Sequence, residues 1–202
     1  MKKIGIFGGS FNPIHLGHLL AGRAAAEACG FDHILLVPCN VSPFKREAAD
    51  LASGADRLEM IRLSVADDPL YEPCSLDLER GGVSYAVETV RAVRARFPTE
   101  RLSFIIGMDA LRELSHWYQV GEFLSLCDVV TLCRPGVDAP VGPGELAFPD
   151  EIRVRLLANV VRGRLCDVSA SEIRRRIAEG RPIRYLVTRA VERYIRTRRL
   201  YV

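Results

Sequence analysis

Residues 3–30 read KIGIFGGSFNPIHLGHLLAGRAAAEACG, and the order in which the chain changes character there sets the fold class. A short apolar run ends in paired glycines. After a turn the chain takes up an alanine- and leucine-rich stretch closed by Gly30, as a left-handed glycine closes many helices. This is a strand, a loop and a helix, and the beat returns downstream. HILLVP (33–38) and RLSFIIG (101–107) are apolar along their whole length, and CDVVTLCRPG (127–136) carries a further strand. ADRLEMIRLSVAD (55–67) and SYAVETVRAVRARF (84–97) have helical periodicity, the second starting at a Ser84 cap. YEPCSLDLE (71–79) alternates loosely as a strand, whereas VDAPVGPGELAFPDE (137–151), rich in Pro and Gly, reads as no core element. Two helical segments, 165–180 and 185–201, follow a short strand and finish the chain.

Apolar strands alternating with helices predict a doubly wound α/β fold, a mostly parallel sheet covered on both faces, with a small helical C-terminal part. Ligands of such folds sit beyond the carboxyl ends of the strands, so the loops after Phe7, Val37, Ile106 and Leu132 should face one crevice. At 202 residues one domain spanning 1–202 suffices, with residues 168–202 forming a C-terminal turn and helices. With 49% hydrophobic and 26% charged residues, disordered and fibrous classes drop out. No apolar run reaches membrane-spanning length, and the N-terminal apolar stretch is too short for a signal peptide. The six cysteines lack metal-finger spacing and read as free thiols in a reducing cytoplasm.

The net charge of +3 conceals an asymmetry: from Val168 onward there are ten arginines against three glutamates. A basic end of this kind suits nucleic acid, solvated helix faces or small phosphates. Without interleaved aromatics the last two are favoured, so nucleic acid and membrane are not expected as partners, and a homo-oligomer is left open.

Gly8 and Gly9 let the backbone approach a ligand closely, and the helix that follows offers its N-terminal N–H groups to phosphate. Neither a Walker loop nor a GxGxxG fingerprint is present. His15 and His18, three apart, share a helix face, and three roles compete for them: metal ligands, capping or core residues, and phosphate holders. A zinc site lacks an evident third ligand, because His33 and His116 lie in other segments. CNVSPFKREAADLASG (39–54) is longer than most connections and is a candidate functional loop.

GGSFNPIHLGH resembles the hallmark of the nucleotidyltransferase superfamily with the HxGH signature, and VSASEIRRRI is similar to its ISSTxIR segment, with Ala170 replacing a serine. Within that superfamily the chain looks most like the bacterial nicotinate mononucleotide adenylyltransferases. VSPFK stands at their PPHK-like loop, SYAVETV at their SYTxxTL-like segment, GMD (107–109) at their GxD turn and HWYQ (116–119) at their tryptophan loop. Phe44 in place of histidine and Ala86 in place of threonine are departures.

The resemblance implies a Rossmann-like nucleotidyltransferase that joins ATP to nicotinate mononucleotide with release of pyrophosphate, Mg2+ arriving on ATP and no metal site of the protein's own. It implies phosphate-handling roles for His15, His18, Lys45 and Arg174. ATP contacts fall to Gly8, Ser10, Phe11, Gly107, Asp109, Val168, Ser169 and Ser171, and the nicotinate side to Asn40, Ser84, Tyr85, Thr89, Trp117, Tyr118 and Arg134. The alternatives are another acceptor within the superfamily (nicotinamide mononucleotide, phosphopantetheine), metal-dependent hydrolysis at the histidine pair, and a basic nucleic-acid-binding module.

Overall fold

The computed structural model describes residues 1–43, 51–133, 139, 141–163 and 166–202. Its elements in chain order are β1 (Lys3–Gly9), α1 (Leu16–Cys29), β2 (His33–Pro38), α2 (Gly54–Val65), β3 (Tyr71–Pro73), α3 (Leu76–Arg80), α4 (Ala86–Arg96) and β4 (Arg101–Gly107). There follow α5 (Met108–Arg112), α6 (Val120–Leu126), β5 (Asp128–Cys133), α7 (Asp150–Ala158), β6 (Val160–Arg162), α8 (Ala170–Ala178) and α9 (Arg189–Arg198). The strands form one sheet in the order β3-β2-β1-β4-β5-β6, and every neighbouring pair is parallel. The chain winds outward from β1 to β3 and then crosses back to β4. The strand order therefore reverses between β1 and β4, where a crevice opens at their carboxyl ends.

Alternation along each strand divides the core in two. Ile4, Ile6, Leu102, Phe104 and Ile106 face one side and pack with Val87, Val90 and Val93 of α4, Leu111 of α5 and Phe123 of α6. Ile34, Leu36, Ile105 and Val130 face the other, against Ala25 of α1, Ile61 of α2, Ile173 of α8 and Val191 and Ile195 of α9. The N-terminal loop–helix unit and the late serine-arginine segment thus share a layer, because the apolar faces of α1, α8 and α9 cover the same side of the sheet. No helix among the described residues is long and apolar enough to cross a membrane.

Three sequence expectations need correction. Only Tyr71–Pro73 of the segment 71–79 is strand, and Leu76–Arg80 turns as a helix that buries Asp77. Ser84 does not cap α4: the preceding position of the helix is Tyr85, and the Ser84 hydroxyl instead accepts the Asn40 N–H at 2.9 Å. The Pro/Gly-rich stretch does contribute to the core, since Leu146 is buried among the side chains over β4 and β5, with Val141 beside it.

Candidate active site

The HLGH segment starts α1 with His15 in extended backbone, and the His15 N–H donates to Nδ1 of His18 at 3.2 Å. The two rings stack with centroids 3.7 Å apart and planes 27° apart. Phe11 and Phe7 meet the His18 ring edge-on, at 5.0 and 6.1 Å. Burial holds the pKa of His15 down at about 4, and burial together with the neighbouring His15 keeps His18 well below the ordinary imidazole value. Both rings are therefore neutral near pH 7. Since Nδ1 of His18 accepts a hydrogen bond, its own proton sits on Nε2, which makes that atom a donor.

Gly17 keeps this arrangement compact. A methyl group there would lie 3.0 Å from Cε1 of His15 and 3.4 Å from the Val168 carbonyl oxygen. The same contact brings the two distant motifs together. Arg174 reinforces it by donating from Nη1 to the Asn12 carbonyl at 2.9 Å, across 162 positions of sequence. Ser169 caps α8 by accepting the Glu172 N–H, and Ser171 accepts from Nη2 of Arg174. Asn12 Oδ1 in turn receives the Tyr201 hydroxyl at 2.7 Å and the Ala52 N–H at 3.0 Å.

A cavity of about 800 Å³ occupies the crevice. Gly8 at the end of β1 and Ser10 just after it, Gly107 at the end of β4 and Asp109 in α5, and Ser84, Tyr85, Thr89, Trp117 and Tyr118 from the opposite layer all line it. Gly107 lets the Asp109 carboxylate lie close to the backbone, since a methyl group there would come within 2.7 Å of it and turn it aside. Trp117 packs against Phe104 and Phe123, and Tyr118 against Tyr85 with centroids 4.6 Å apart, so aromatic faces dominate this end. The Thr89 hydroxyl is engaged with the Asp77 carboxylate at 2.8 Å and with the Tyr85 carbonyl.

His15, His18, Phe11, Asn40, Val168, Ser169, Ser171 and Arg174 lie outside the cavity wall proper. His18 adjoins it through Phe7, and Asn40 braces the rim by its bonds to Ser84 and the Gly82 carbonyl. Ser171 and Arg174 line a second hollow with Arg175 and Arg199. Lys45 and Arg134, with Phe44, lie outside the described residues. Sequence reasoning missed two buried charges at the site. Asp77, 3% exposed, lines the cavity and is paired with Arg80 at 3.0 Å. Arg57, 1% exposed, lies beneath its floor. The signal was present for the second: Arg57 stands four residues before Ile61 and eight before Val65, on the apolar stripe of α2.

Residues 6–176 match the cytidylyltransferase-like family. A protein of Shouchella clausii named "Probable nicotinate-nucleotide adenylyltransferase" is 38% identical over 201 residues, covering 100% of this chain and 97% of that one. A Thermus thermophilus protein of the same name is 40% identical over 202 residues, covering 98% and 99%. In fold the chain is similar to the Plasmodium falciparum nicotinic acid mononucleotide adenylyltransferase complexed with NaAD, at 16% identity and a TM-score of 0.75 over 100% of this chain and 98% of that one. The chain belongs to the cytidylyltransferase-like nucleotidyltransferases and, among them, to the nicotinate-nucleotide adenylyltransferase family.

Proposed function

We propose that the chain transfers the adenylyl group of ATP to nicotinate mononucleotide, giving nicotinate adenine dinucleotide and pyrophosphate, a step of NAD biosynthesis. The observation that carries this reading at the level of residues is the meeting of the HxGH turn with the serine-arginine segment, through Gly17, Val168, Asn12 and Arg174, beside a large cavity with an aromatic end. Names borne by full-length relatives at close to 40% identity support the substrates.

The 5′-phosphate oxygen of the mononucleotide attacks the α-phosphorus of ATP, and the bond from that phosphorus to the bridging oxygen breaks as pyrophosphate leaves. Two polyanions must be held in line against their repulsion, so positioning and charge stabilisation account for the catalysis without a covalent intermediate. On this reading His18, through its Nε2 proton, and His15 hold phosphate oxygens, and Gly8, Ser10 and Phe11 offer backbone contacts. Val168, Ser169, Ser171 and Arg174 receive the departing pyrophosphate, with Lys45 neutralising phosphate charge. Gly107 and Asp109 face the ribose of ATP. Trp117 stacks on the pyridine ring, with Asn40, Ser84, Tyr85, Thr89, Tyr118 and Arg134 around the nicotinate mononucleotide. Mg2+ enters as the MgATP complex; among the described residues no group of three or more His, Cys, Asp or Glu side chains gathers to hold an ion. The six free thiols suit a cytoplasmic site of action.

The test is pyrophosphate release from ATP with nicotinate mononucleotide, nicotinamide mononucleotide or neither. Release matched one for one by dinucleotide, and fastest with the acid, is expected. Release no faster than in the acceptor-free control overturns the reading.

A further inference from the structure

Arg57 is 1% exposed, yet it meets no carboxylate among the described residues. Among the described residues its guanidinium donates to four backbone carbonyls: Ser10 at 2.9 Å, Cys39 at 2.6 Å, Asn40 at 3.4 Å and, through Nε, Ala52 at 3.1 Å. These four carbonyls belong to the loop after β1, the loop after β2 and the entry to α2, and Ser10 and Cys39 among them line the cavity. A buried charge left without a counter-ion is costly. Burial accordingly lowers the pKa of Arg57 from its ordinary value. A leucine or methionine on the apolar stripe of α2 would carry no such cost but would leave four carbonyls unmatched.

The peptide geometry shows what the fork accomplishes. The Ser10–Phe11 bond is trans, so the carbonyl of Ser10 and the N–H of Phe11 point to opposite sides of one rigid plane. With the carbonyl pinned on Arg57, the Phe11 N–H is turned away from the floor, and it donates to no acceptor among the described residues. Phe11 itself holds φ at +45°, a conformation a non-glycine residue keeps only where its surroundings enforce it. A backbone N–H left free in the loop after β1 is a donor that an anionic ligand can take up.

We propose that Arg57 is a positioning residue for the triphosphate of ATP: it fixes the Ser10–Phe11 peptide with its N–H outward and places under the phosphates a positive charge that meets no carboxylate among the described residues. This rests on the adenylyl-transfer reading. The functional consequence falls mainly on ATP, since Ser84, Tyr85, Thr89, Trp117 and Tyr118 of the nicotinate end come from the opposite layer, and Asn40, reached by the longest of the four bonds at 3.4 Å, is among the described residues the one on the nicotinate side that Arg57 touches.

Arg57→Lys and Arg57→Gln in the full chain test it, with separate measurements of KM for each substrate, kcat, thermal midpoint, and direct calorimetric binding of a non-hydrolysable ATP analogue. Expected for Arg57→Lys, which keeps the charge but not the fork, is a loss of about tenfold in ATP-analogue affinity and in ATP KM. Nicotinate mononucleotide KM should stay within about twofold, and the loss should be larger in Arg57→Gln. Unchanged ATP-analogue affinity in Arg57→Lys overturns the inference. Equal losses for both substrates in step with a lowered midpoint do so too, because they mark a purely structural strut. A wild-type protein that binds the ATP analogue but makes no dinucleotide sinks the adenylyl-transfer reading alone, and the binding comparison still decides the role of Arg57.

Discussion

A neutral imidazole can bring only one proton to a phosphate oxygen, so its value lies in where that proton points. At His18 the direction is settled by the backbone: the His15 N–H occupies Nδ1, leaving Nε2 as the donor. Removing one preorganised donor of this kind costs about two to three orders of magnitude in turnover. His18→Ala is therefore expected to lower kcat by that much while the far-ultraviolet circular dichroism is retained; near wild-type turnover would remove the ring from the mechanism. His15 carries a second consequence. Its folded pKa of about 4 lies below the ordinary 6.5, so between those values the unfolded chain binds a proton that the folded chain does not. Its contribution is fully present above pH 6.5 and is lost as the pH falls toward 4, on the order of 3 kcal/mol in all. Urea unfolding of the wild type at stepped pH should show stability declining across that window, and His15→Gln should show a flatter decline; identical slopes would mean that the ring titrates normally.

Elements differ in how much of themselves they write into the sequence. β2 and β4 occupy the stretches HILLVP and RLSFIIG that their unbroken apolar character marked, because both faces of a central parallel strand are buried. α3 has five residues, too few for a helical period to emerge from YEPCSLDLE, and the apolar positions of α7 are masked by Val154, an exposed valine at 69%. The histidine, glycine and serine-arginine positions were legible because each is a residue type that turns and helix starts select. Arg57 was legible only in part: its place on the apolar stripe of α2 can be read from its spacing to Ile61 and Val65, but the carbonyls that receive its charge cannot. α8 offers a test of its own start: Ser169 Oγ accepts the Glu172 N–H at 3.1 Å. Ser169→Ala is expected to cost about 1 kcal/mol, roughly 2–4 °C in thermal midpoint for a chain of this size. An unchanged midpoint would show that the α8 turn is held by the Arg174 and Val168 contacts rather than by its cap.

For the whole molecule the question is whether residues 168–202 are an appendage or part of the fold. The polar accounting already ties them in: Tyr194 and Arg198 reach Asp56 of α2, and Tyr201 reaches Asn12. The apolar accounting is stronger. Ile173, Ile183, Val187, Val191 and Ile195 are all buried in the layer that holds α1 and α2. At about 1.5–3 kcal/mol each, these five side chains bring on the order of 10 kcal/mol, comparable with the entire net stability of an ordinary domain. A chain ended at Asp167 is therefore expected to lose cooperative unfolding altogether, rather than to persist as a folded, inactive sheet. Heat-capacity scans and limited proteolysis of that shortened chain read the outcome directly, and a sharp endotherm with a protease-resistant remnant would show that residues 168–202 only decorate a domain that closes without them. If the scan is flat, residues 168–202 are part of the layer that closes over α1 and α2, and the sheet does not fold without them.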